Sequence, residues 1–390
     1  MTITAITQEE RTAILDAVRE FADAQFAPQA LARDQQCEVP IDTLHAAGEL
    51  GLGGLYVAED VGGMNLSRED AAAIFETLAY ADPTMSAYIS IHNMVAWMID
   101  TFGTAEQRER FLPPLTSMQQ FGAYCLTEPG AGSDAAAITT SAVRDGDAFV
   151  LNGAKQFISG AGSAGVYVVM ARTSNRGSAG ITAFIVPDGT EGLSFGPNEH
   201  KMGWRAQPTR PVLFDNVRVP ADQVLGEVDG GFRIAMKALN GGRINLAACS
   251  LGGAHWALDT AAAYVQQRFT FGEPLSSQQT VQFALADMAT ELHAARLMVT
   301  SGARAIDSES ADAAVQCAMA KRYATDVGFR IANEALQLHG GYGYLQDYGI
   351  EKVVRDLRVH QILEGTNEIM RVIIGRAILG KADRKSGGNR

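Results

Sequence analysis

Several features that define other classes of protein are missing from this chain of 390 residues. Its four cysteines, Cys37, Cys125, Cys249 and Cys317, lack the paired spacing of a zinc ribbon, a CxxC redox site or a disulfide framework. No apolar run approaches the ~20 residues of a membrane-spanning helix. The first ten residues carry acids, without the cationic and apolar segments of a targeting peptide. The sequence therefore predicts a cytoplasmic protein, or a mitochondrial matrix protein if the chain is a processed eukaryotic one.

Positive charge is also scarce. Lys and Arg number 32 against 44 Asp and Glu, which gives a formal net charge of −12. A surface this acidic repels nucleic-acid backbones and anionic lipid headgroups, so we expect neither nucleic acid nor a membrane as a partner. A metal site is not expected either, because no metal-ligand spacing connects His92, His255, His293, His339 and His360.

The hydrophobic patterning is typical of a multidomain enzyme. Helical spacing runs to about residue 120, with capping patterns at Thr7-x-x-Glu10 and Ser67-x-x-Asp70 and a helix end expected at Pro113-Pro114. Short Val, Ile and Phe-rich runs separated by Asp-Gly and Asn-Gly turns then predict an antiparallel sheet, as a small barrel or sandwich. Long helical segments follow, which indicate a helical bundle. We predict an α+β fold, mostly α, with domains at 1–120, 121–228 and 229–390.

Two glycine-rich segments match the dinucleotide-binding fingerprint, GxGxxG at 160–165 and GxGxxA at 130–135. That fingerprint needs a strand before the glycines and a helix after them, because the helix N-terminus binds the pyrophosphate. A strand pattern follows Gly165, and at most one helical turn can follow Gly132. A Rossmann site is therefore disfavoured, although the second loop can still hold an anion or a flat ring.

Longer motifs carry more information. The segment Tyr124-Cys-Leu-Thr-Glu-Pro-Gly-Ala-Gly-Ser-Asp134 resembles the signature of the acyl-CoA dehydrogenase family of flavoenzymes, in which this segment lies against the flavin and the acyl thioester. The resemblance covers residues 8 to 380. It implies a helical domain, a β domain and a four-helix bundle, assembled as a homotetramer with FAD. The other similar segments are Lys155–Ser159, Arg268–Leu275, Gln337–Tyr344 and Gln361–Glu368.

Desaturation of an acyl thioester needs a base for the α-proton and an acceptor for the β-hydride. No natural side chain accepts a hydride, so a flavin must do so, and the base must be a carboxylate made more basic by exclusion of water. Glu364 is the candidate. Its heptapeptide alone favours a solvated glutamate at a helix end, whereas the resemblance places the family's base at this position. The alternative base position of the isovaleryl and long-chain branches is Gly242 here, which carries no carboxylate.

The resemblance also implies the residues that bind the cofactor and the substrate. Many relatives have Trp where this chain has Phe157. The residues implied at the flavin ring are Tyr124, Cys125, Leu126, Thr127, Gly132, Ser133, Phe157, Ile158 and Ser159. Those implied to reach a neighbouring subunit's FAD are Arg268, Gln278, Gln279, Gln337, Leu338, His339, Gly340 and Gly341. Thr366, Asn367 and Glu368 start a helix, and we expect the N–H groups there to hold the cofactor's phosphates. The residues implied at the acyl-CoA are Ser133, Asn240, Gly241, Gly242, Arg243 and Arg376.

Details such as Asn240–Asn245 and Ala87–Asn93 are most similar to the branch of the family that oxidises isobutyryl-CoA. The resemblance therefore implies conversion of isobutyryl-CoA to methacrylyl-CoA, a step of valine breakdown, with an electron transfer flavoprotein as acceptor. Three alternatives stay open at this point. They are another short acyl chain such as 2-methylbutyryl or butyryl, a flavin oxidase that reduces oxygen, and a non-catalytic acyl-CoA-binding protein.

Overall fold

The computed structural model describes residues 6–380. The outer limits predicted for the first and last domains, at residues 1 and 390, lie outside the described residues. Within them the chain runs from helices through strands to helices, which confirms the predicted fold class. One hydrophobic cluster continues through all three regions, with Phe75, Tyr167 and Ile331 among its members.

Within the described residues, six α-helices form the first region. Thr7 and Glu10 cap the first helix reciprocally, and Ser67 caps the fourth, as their spacing predicts. The predicted end at Pro113-Pro114 is wrong, because burial of Leu115 on the core carries the last helix on to Thr116. The helices are α1 Gln8–Gln25, α2 Ala30–Gln36, α3 Ile41–Glu49, α4 Arg68–Ala81, α5 Pro83–Phe102 and α6 Ala105–Thr116.

Eight strands of the middle region form one sheet in the order β6-β7-β3-β2-β4-β5-β8, with β1 paired to β4. The prediction of a purely antiparallel sheet is wrong, because β1 lies parallel to β4, and β2 meets β4 in parallel through the single pair Ser141 and Arg172. The crossover that parallel pairing requires is supplied by the chain between β1 and β4, which includes the β2-β3 hairpin. The strands are β1 Gly122–Cys125, β2 Ser141–Asp145, β3 Ala148–Ser159, β4 Val166–Arg172, β5 Ile181–Pro187, β6 Leu193–Phe195, β7 Thr209–Pro220 and β8 Val224–Leu225.

Long helices packed through small residues form the third region. A Cβ added to Gly302 would lie 2.6 Å from Ile244 Cδ1, and one added to Gly328 would lie 3.0 Å from Ser250 O, so these glycines allow the helices to approach closely. The helices are α7 Gly231–Gln267, α8 Gln279–Asp307, α9 Ala313–His339, α10 Ile350–Arg358 and α11 Asn367–Ile378; a short hairpin of β9 Phe269–Thr270 and β10 Glu273–Pro274 precedes α8.

A buried ionic cluster fastens the three regions together beside α10. Lys352 Nζ lies 3.0 Å from Asp82 Oδ1 and 2.7 Å from Asp356 Oδ2. Asp356 also accepts hydrogen bonds from the Thr84 hydroxyl and from the Trp204 backbone N–H. Because these groups come from the first helices, the middle region and the bundle, the cluster fixes where the chain beyond α10 begins.

Candidate active site

The turn between α10 and α11 is left-handed at two successive residues. Glu364 has φ 58° and Gly365 has φ 89°, and Thr366 then caps α11 by accepting a hydrogen bond from the Ile369 N–H. A left-handed conformation costs a residue such as glutamate about 1–2 kcal/mol. Arg243 stabilises the turn, because its Nε donates to the Glu364 carbonyl oxygen at 3.2 Å. The turn directs the Glu364 side chain onto α7.

Glu364 presents its carboxyl group to a helix that has no side chain at the point of contact. A Cβ added to Gly242 would lie 2.6 Å from Glu364 Oε2 and 3.1 Å from Oε1. Within the described chain Oε2 is buried without a hydrogen-bond partner. Burial raises the pKa of Glu364 to about 7, against the opposing effects of Arg243 and Lys321. The carboxyl group is therefore a stronger base than an exposed glutamate.

Tyr124 at the end of β1 faces the same space. Its hydroxyl is also buried without a hydrogen-bond partner in the described part of the chain. Burial raises its pKa well above the usual value, and the charge of Glu364 raises it further. Buried polar atoms are nearly always hydrogen-bonded, so two unpartnered oxygens near one another indicate a ligand site.

A buried ion pair joins the two segments that resemble flavin-facing segments. Lys155 Nζ lies 2.7 Å from Glu128 Oε1 and donates to Leu126 O at 3.1 Å. The Gln156 N–H donates to Thr127 O at 2.8 Å. Burial alone would raise the pKa of Glu128, but the attraction and hydrogen bond of Lys155, together with bonds from the 139–140 segment, lower it to about 2. The ends of β1 and β3 are thus held side by side.

The end of β3 presents an apolar ring and a hydroxyl group next to this pair. Phe157 has φ 58° and is 63% exposed, so its ring projects from the sheet. The Ser159 hydroxyl accepts a hydrogen bond from Gln207 Nε2 at 2.6 Å, which leaves its own hydrogen free to donate. These groups fit a flat, partly apolar ring with hydrogen-bond acceptors at its edge.

Not every residue implied at the flavin ring turns its side chain to this space. The side chains of Cys125, Leu126 and Ile158 are buried in the core, so these residues can offer only backbone groups to a ligand. Gly132 and Ser133 lie on the exposed loop that follows β1.

The residues implied to contact a neighbouring subunit's cofactor gather at the far end of α7. Arg268 lies over the Tyr342 ring, with 5.6 Å from its guanidinium carbon to the ring centroid. The 26 residues from Gly242 to Arg268 correspond to about 39 Å of helix, so these groups lie too far apart to touch one flavin ring. Gln278 and Gln279 are exposed at the start of α8. A cavity of about 540 Å³ is lined here by Tyr264, Arg268, Thr270, Leu275, Gln337, Leu338, His339, Gly340, Gly341, Tyr342 and Leu345.

The first two residues of α11 differ in exposure. Asn367 is buried, and its amide contacts Lys321 and Asp326 from α9. Glu368 is exposed and pairs with Arg371.

The implied substrate residues fall into two groups. Asn240 Oδ1 accepts a hydrogen bond from Arg243 at 2.8 Å, and Gly241 lies against the buried Arg68. These residues therefore lie together beside Glu364. Arg376 is exposed in the last turn of α11, about 15 Å along that helix from Thr366, and its role stays a prediction.

Four residues of the site were not predicted from the sequence. All four are buried: Lys321, Gln207, Tyr56 and Arg68. The sequence offered a signal for Lys321, because this lysine lies in the mainly apolar segment Ala318-Met-Ala-Lys321-Arg-Tyr-Ala324. The Arg68 guanidinium lies 3.6 Å from the centroid of the Tyr56 ring. The charge of Glu364 contributes to the raised pKa of Tyr56, which is caused first by burial.

Domain models of the acyl-CoA dehydrogenase family match the chain along nearly its whole length: the N-terminal domain at residues 8–119, the middle domain at 123–217 and the C-terminal domain at 229–379. The chain therefore belongs to the acyl-CoA dehydrogenase family. Among curated proteins it is 53% identical over 371 residues to the mitochondrial isobutyryl-CoA dehydrogenase of Bos taurus, covering 95% of this chain and 89% of the relative.

Solved structures agree with this assignment. Butyryl-CoA dehydrogenase from Megasphaera elsdenii is similar with a TM-score of 0.93 and 38% identity, covering 97% of this chain and 100% of that one. A glutaryl-CoA dehydrogenase from Mycobacterium smegmatis in complex with FADH2 is similar with a TM-score of 0.91 and 30% identity, covering 97% of each chain. The family and this complex imply a flavin cofactor, and the exposed Phe157 ring and the unpartnered oxygens fit one.

Two further features bear on the class of protein. Among residues 6–380, no cluster of three or more His, Cys, Asp or Glu side chains could hold a metal ion. No helix in the same range is long and apolar enough to cross a membrane.

We predict that Gly242→Ala displaces the Glu364 carboxyl group, because the added methyl group would lie 2.6 Å from Oε2. A misplacement of about 1 Å costs on the order of 10²-fold in turnover. Steady-state kinetics with an acyl-CoA substrate and the thermal midpoint measure the two effects. Gly375→Ala in α11 is the control, because no atom lies within 4 Å of its Cβ. Equal turnover in the two variants would contradict the contact.

Proposed function

We propose that this chain is an FAD-dependent acyl-CoA dehydrogenase that oxidises a short branched acyl-CoA, with isobutyryl-CoA as the preferred substrate and methacrylyl-CoA as the product. The observation that carries the proposal is Glu364 Oε2, which is buried without a hydrogen-bond partner in the described chain and lies against Gly242. When bound, the flavin supplies the acceptor for the hydride that leaves the β-carbon. The residues of this chain bind the thioester, exclude water and remove the proton.

Glu364 acts as the general base on the α-carbon. The α-proton of a thioester is weakly acidic, so an efficient carboxylate base needs a pKa close to the working pH. Burial brings the Glu364 pKa to about 7. The absence of a side chain at Gly242 leaves room for the carboxylate beside α7. The proton passes to Glu364 as the hydride leaves the neighbouring carbon, so only part of a full negative charge develops on the thioester carbonyl oxygen.

The same turn supplies a hydrogen-bond donor for the thioester carbonyl. The Glu364 carbonyl oxygen accepts a hydrogen bond from Arg243, while the Glu364 N–H donates to no group within the described chain. A donor fixed near the oxygen that gains negative charge stabilises the transition state by several kcal/mol. We assign this N–H to the oxyanion hole of the reaction.

The residues proposed for FAD fall into two separate groups. The Tyr124–Ser133 and Phe157–Ser159 segments would hold the ring in one subunit. Arg268 and the 337–341 segment would bind the pyrophosphate region of the cofactor in a neighbouring subunit, since a planar guanidinium binds two phosphate oxygens. This division supports a homotetramer in which the subunits complete each other's sites.

An electron transfer flavoprotein is the proposed electron acceptor. The proposed compartment is the cytoplasm, or the mitochondrial matrix for a processed eukaryotic chain.

Two alternatives predict different measurements. A flavin oxidase on the same scaffold would release hydrogen peroxide in air without an added acceptor. A non-catalytic acyl-CoA-binding protein would be colourless on purification, and the position of Glu364 argues against it.

We predict that Glu364→Gln retains bound flavin and binds acyl-CoA but loses at least ~10²- to 10⁴-fold in the rate of flavin reduction, because the amide cannot accept the α-proton. Anaerobic stopped-flow absorbance measures the rate, and the flavin spectrum confirms that the cofactor is present. Flavin reduction at a near-normal rate would exclude Glu364 as the base.

The acid limb of the pH profile tests the same assignment. Ionised Glu364 is the active form, so kcat/KM should rise with pH and level off above about 7, the raised pKa of this group. A solvated glutamate would place the limb near the ordinary value of 4.5. A plateau that extends down to that lower value would contradict a buried base.

We expect isobutyryl-CoA to bleach the flavin faster than butyryl-CoA or 2-methylbutyryl-CoA in an anaerobic titration of the purified holoenzyme. The expectation follows from the likeness to isobutyryl-CoA dehydrogenase. Preference for butyryl-CoA would overturn the substrate assignment while leaving the reaction class intact.

A further inference from the structure

Lys321 in α9 is fully buried, and among the residues that the structure describes its ammonium forms no ion pair with a carboxylate within 4 Å. Its Nζ donates to the Gly365 carbonyl oxygen at 2.8 Å and to Asn367 Oδ1 at 2.9 Å. Burial of an ion costs several kcal/mol unless strong interactions offset it. Two neutral acceptors offset this cost poorly, so a purely structural role accounts badly for a lysine here.

The first of these bonds lies at the turn that presents Glu364. Arg243 from α7 donates to the carbonyl of Glu364, and Lys321 from α9 donates to the next carbonyl, that of Gly365. Glu364 and Gly365 both have positive φ, a backbone conformation that persists only when the surrounding structure restrains it. The two hydrogen bonds restrain the carbonyl groups of this turn. Two cations from two helices therefore fix consecutive peptide groups of one strained turn.

The charge of Lys321 also acts on the Glu364 carboxyl group. Burial raises the pKa of Glu364, and the positive charges of Arg243 and Lys321 lower it. In return, burial lowers the pKa of Lys321 to about 7, and the charge of Glu364 opposes that change. The two groups are thus electrostatically linked across the bundle.

The other ionisable groups around this pair lie on several elements. His360, after α10, faces Lys321; burial lowers the pKa of this histidine, and the charge of Lys321 lowers it further against the opposing effect of Asp356. Tyr124 on β1 and Tyr56 before α4 face Glu364, and each is kept neutral by burial. Asp326 and Glu368 act on Lys321 from α9 and α11. Arg243 from α7 acts on both members of the pair. Among residues 6–380, Lys321 and Arg243 are therefore the two cations whose charge acts on the Glu364 carboxyl group.

We propose that Lys321 is a positioning residue of the active site: its ammonium holds the turn that presents Glu364 and supplies positive charge that keeps the carboxylate ionised. The inference rests on the proposed function, in which Glu364 is the base. A neutral residue at this position would raise the pKa of the buried carboxyl group further, so that the group would be mostly protonated at neutral pH. An ordinary lysine of the helix scaffold would affect stability alone.

The test separates the charge from the hydrogen bond. Lys321→Gln keeps a donor for the Gly365 carbonyl but removes the charge, whereas Lys321→Arg keeps the charge. Thr325→Val is the matched control, because Thr325 is also buried in α9 and also contacts Asn367. The readouts are the pH profile of kcat/KM and an infrared pH titration of the protonated carboxyl band in the flavin-loaded enzyme, with Glu364→Gln as the blank.

We expect the acid limb and the infrared titration of Lys321→Gln to move to higher pH by about one unit or more, since a nearby opposite charge lowers a carboxyl pKa by about one to three units. At a pH below the limb this shift corresponds to about a tenfold loss of kcat/KM. Lys321→Arg and Thr325→Val should keep the wild-type limb. An unchanged limb in Lys321→Gln would overturn the proposal, as would an equal shift in Thr325→Val.

A second measurement does not depend on the folding of a Lys321 variant. Coupling between two sites is reciprocal, so neutralising Glu364 must lower the pKa of Lys321. NMR titration of labelled lysine side chains in wild type and in Glu364→Gln measures this change, with the Lys321 signal assigned by its loss in Lys321→Arg. An identical Lys321 titration in both proteins would refute the coupling. Full flavin reduction by Glu364→Gln would instead reject the proposed function, so the two failures are distinguishable.

Discussion

The contact between the Glu364 carboxyl group and the bare backbone of α7 at Gly242 is the constraint on which the rest of the site depends. A carboxylate can act as a base toward a carbon acid only if water is kept away from it, and exclusion of water also favours its neutral form. Gly242 lets the carboxyl group lie directly on the helix. The left-handed turn at Glu364 and Gly365 directs the side chain to that contact.

The fold maintains the position of Glu364 by fixing the three regions of the chain relative to one another. The Lys352 cluster fixes α10 against α5 and the Trp204 loop, and the turn that contains Glu364 begins one short helical turn later. The Glu128–Lys155 pair holds the ends of β1 and β3 next to each other on the opposite side. Both clusters are buried and ionic, so removal of one partner would leave an unpaired buried charge and strongly destabilise the fold.

Features that depend on neighbouring residues in the sequence could be predicted, whereas contacts between distant parts of the chain could not. The capping patterns at Thr7 and Ser67 locate their helices because a helix start depends on a few adjacent residues. The parallel pairing of β1 with β4 was missed because nothing in either strand encodes a partner about 40 residues away. Lys321 was missed for the same reason, since its contact at Gly365 lies 44 residues further along the chain.

The site balances two opposing demands on one carboxyl group. A carboxylate paired directly with a cation would have a low pKa and would be too weak a base, whereas a buried carboxyl group with no cation nearby would be protonated at neutral pH. Here Arg243 and Lys321 donate to the backbone carbonyls of the turn and not to the carboxylate itself. Their positive charge therefore acts on Glu364 without a direct hydrogen bond, which would lower the pKa of the carboxyl group further. The pKa of about 7 is the result of this arrangement.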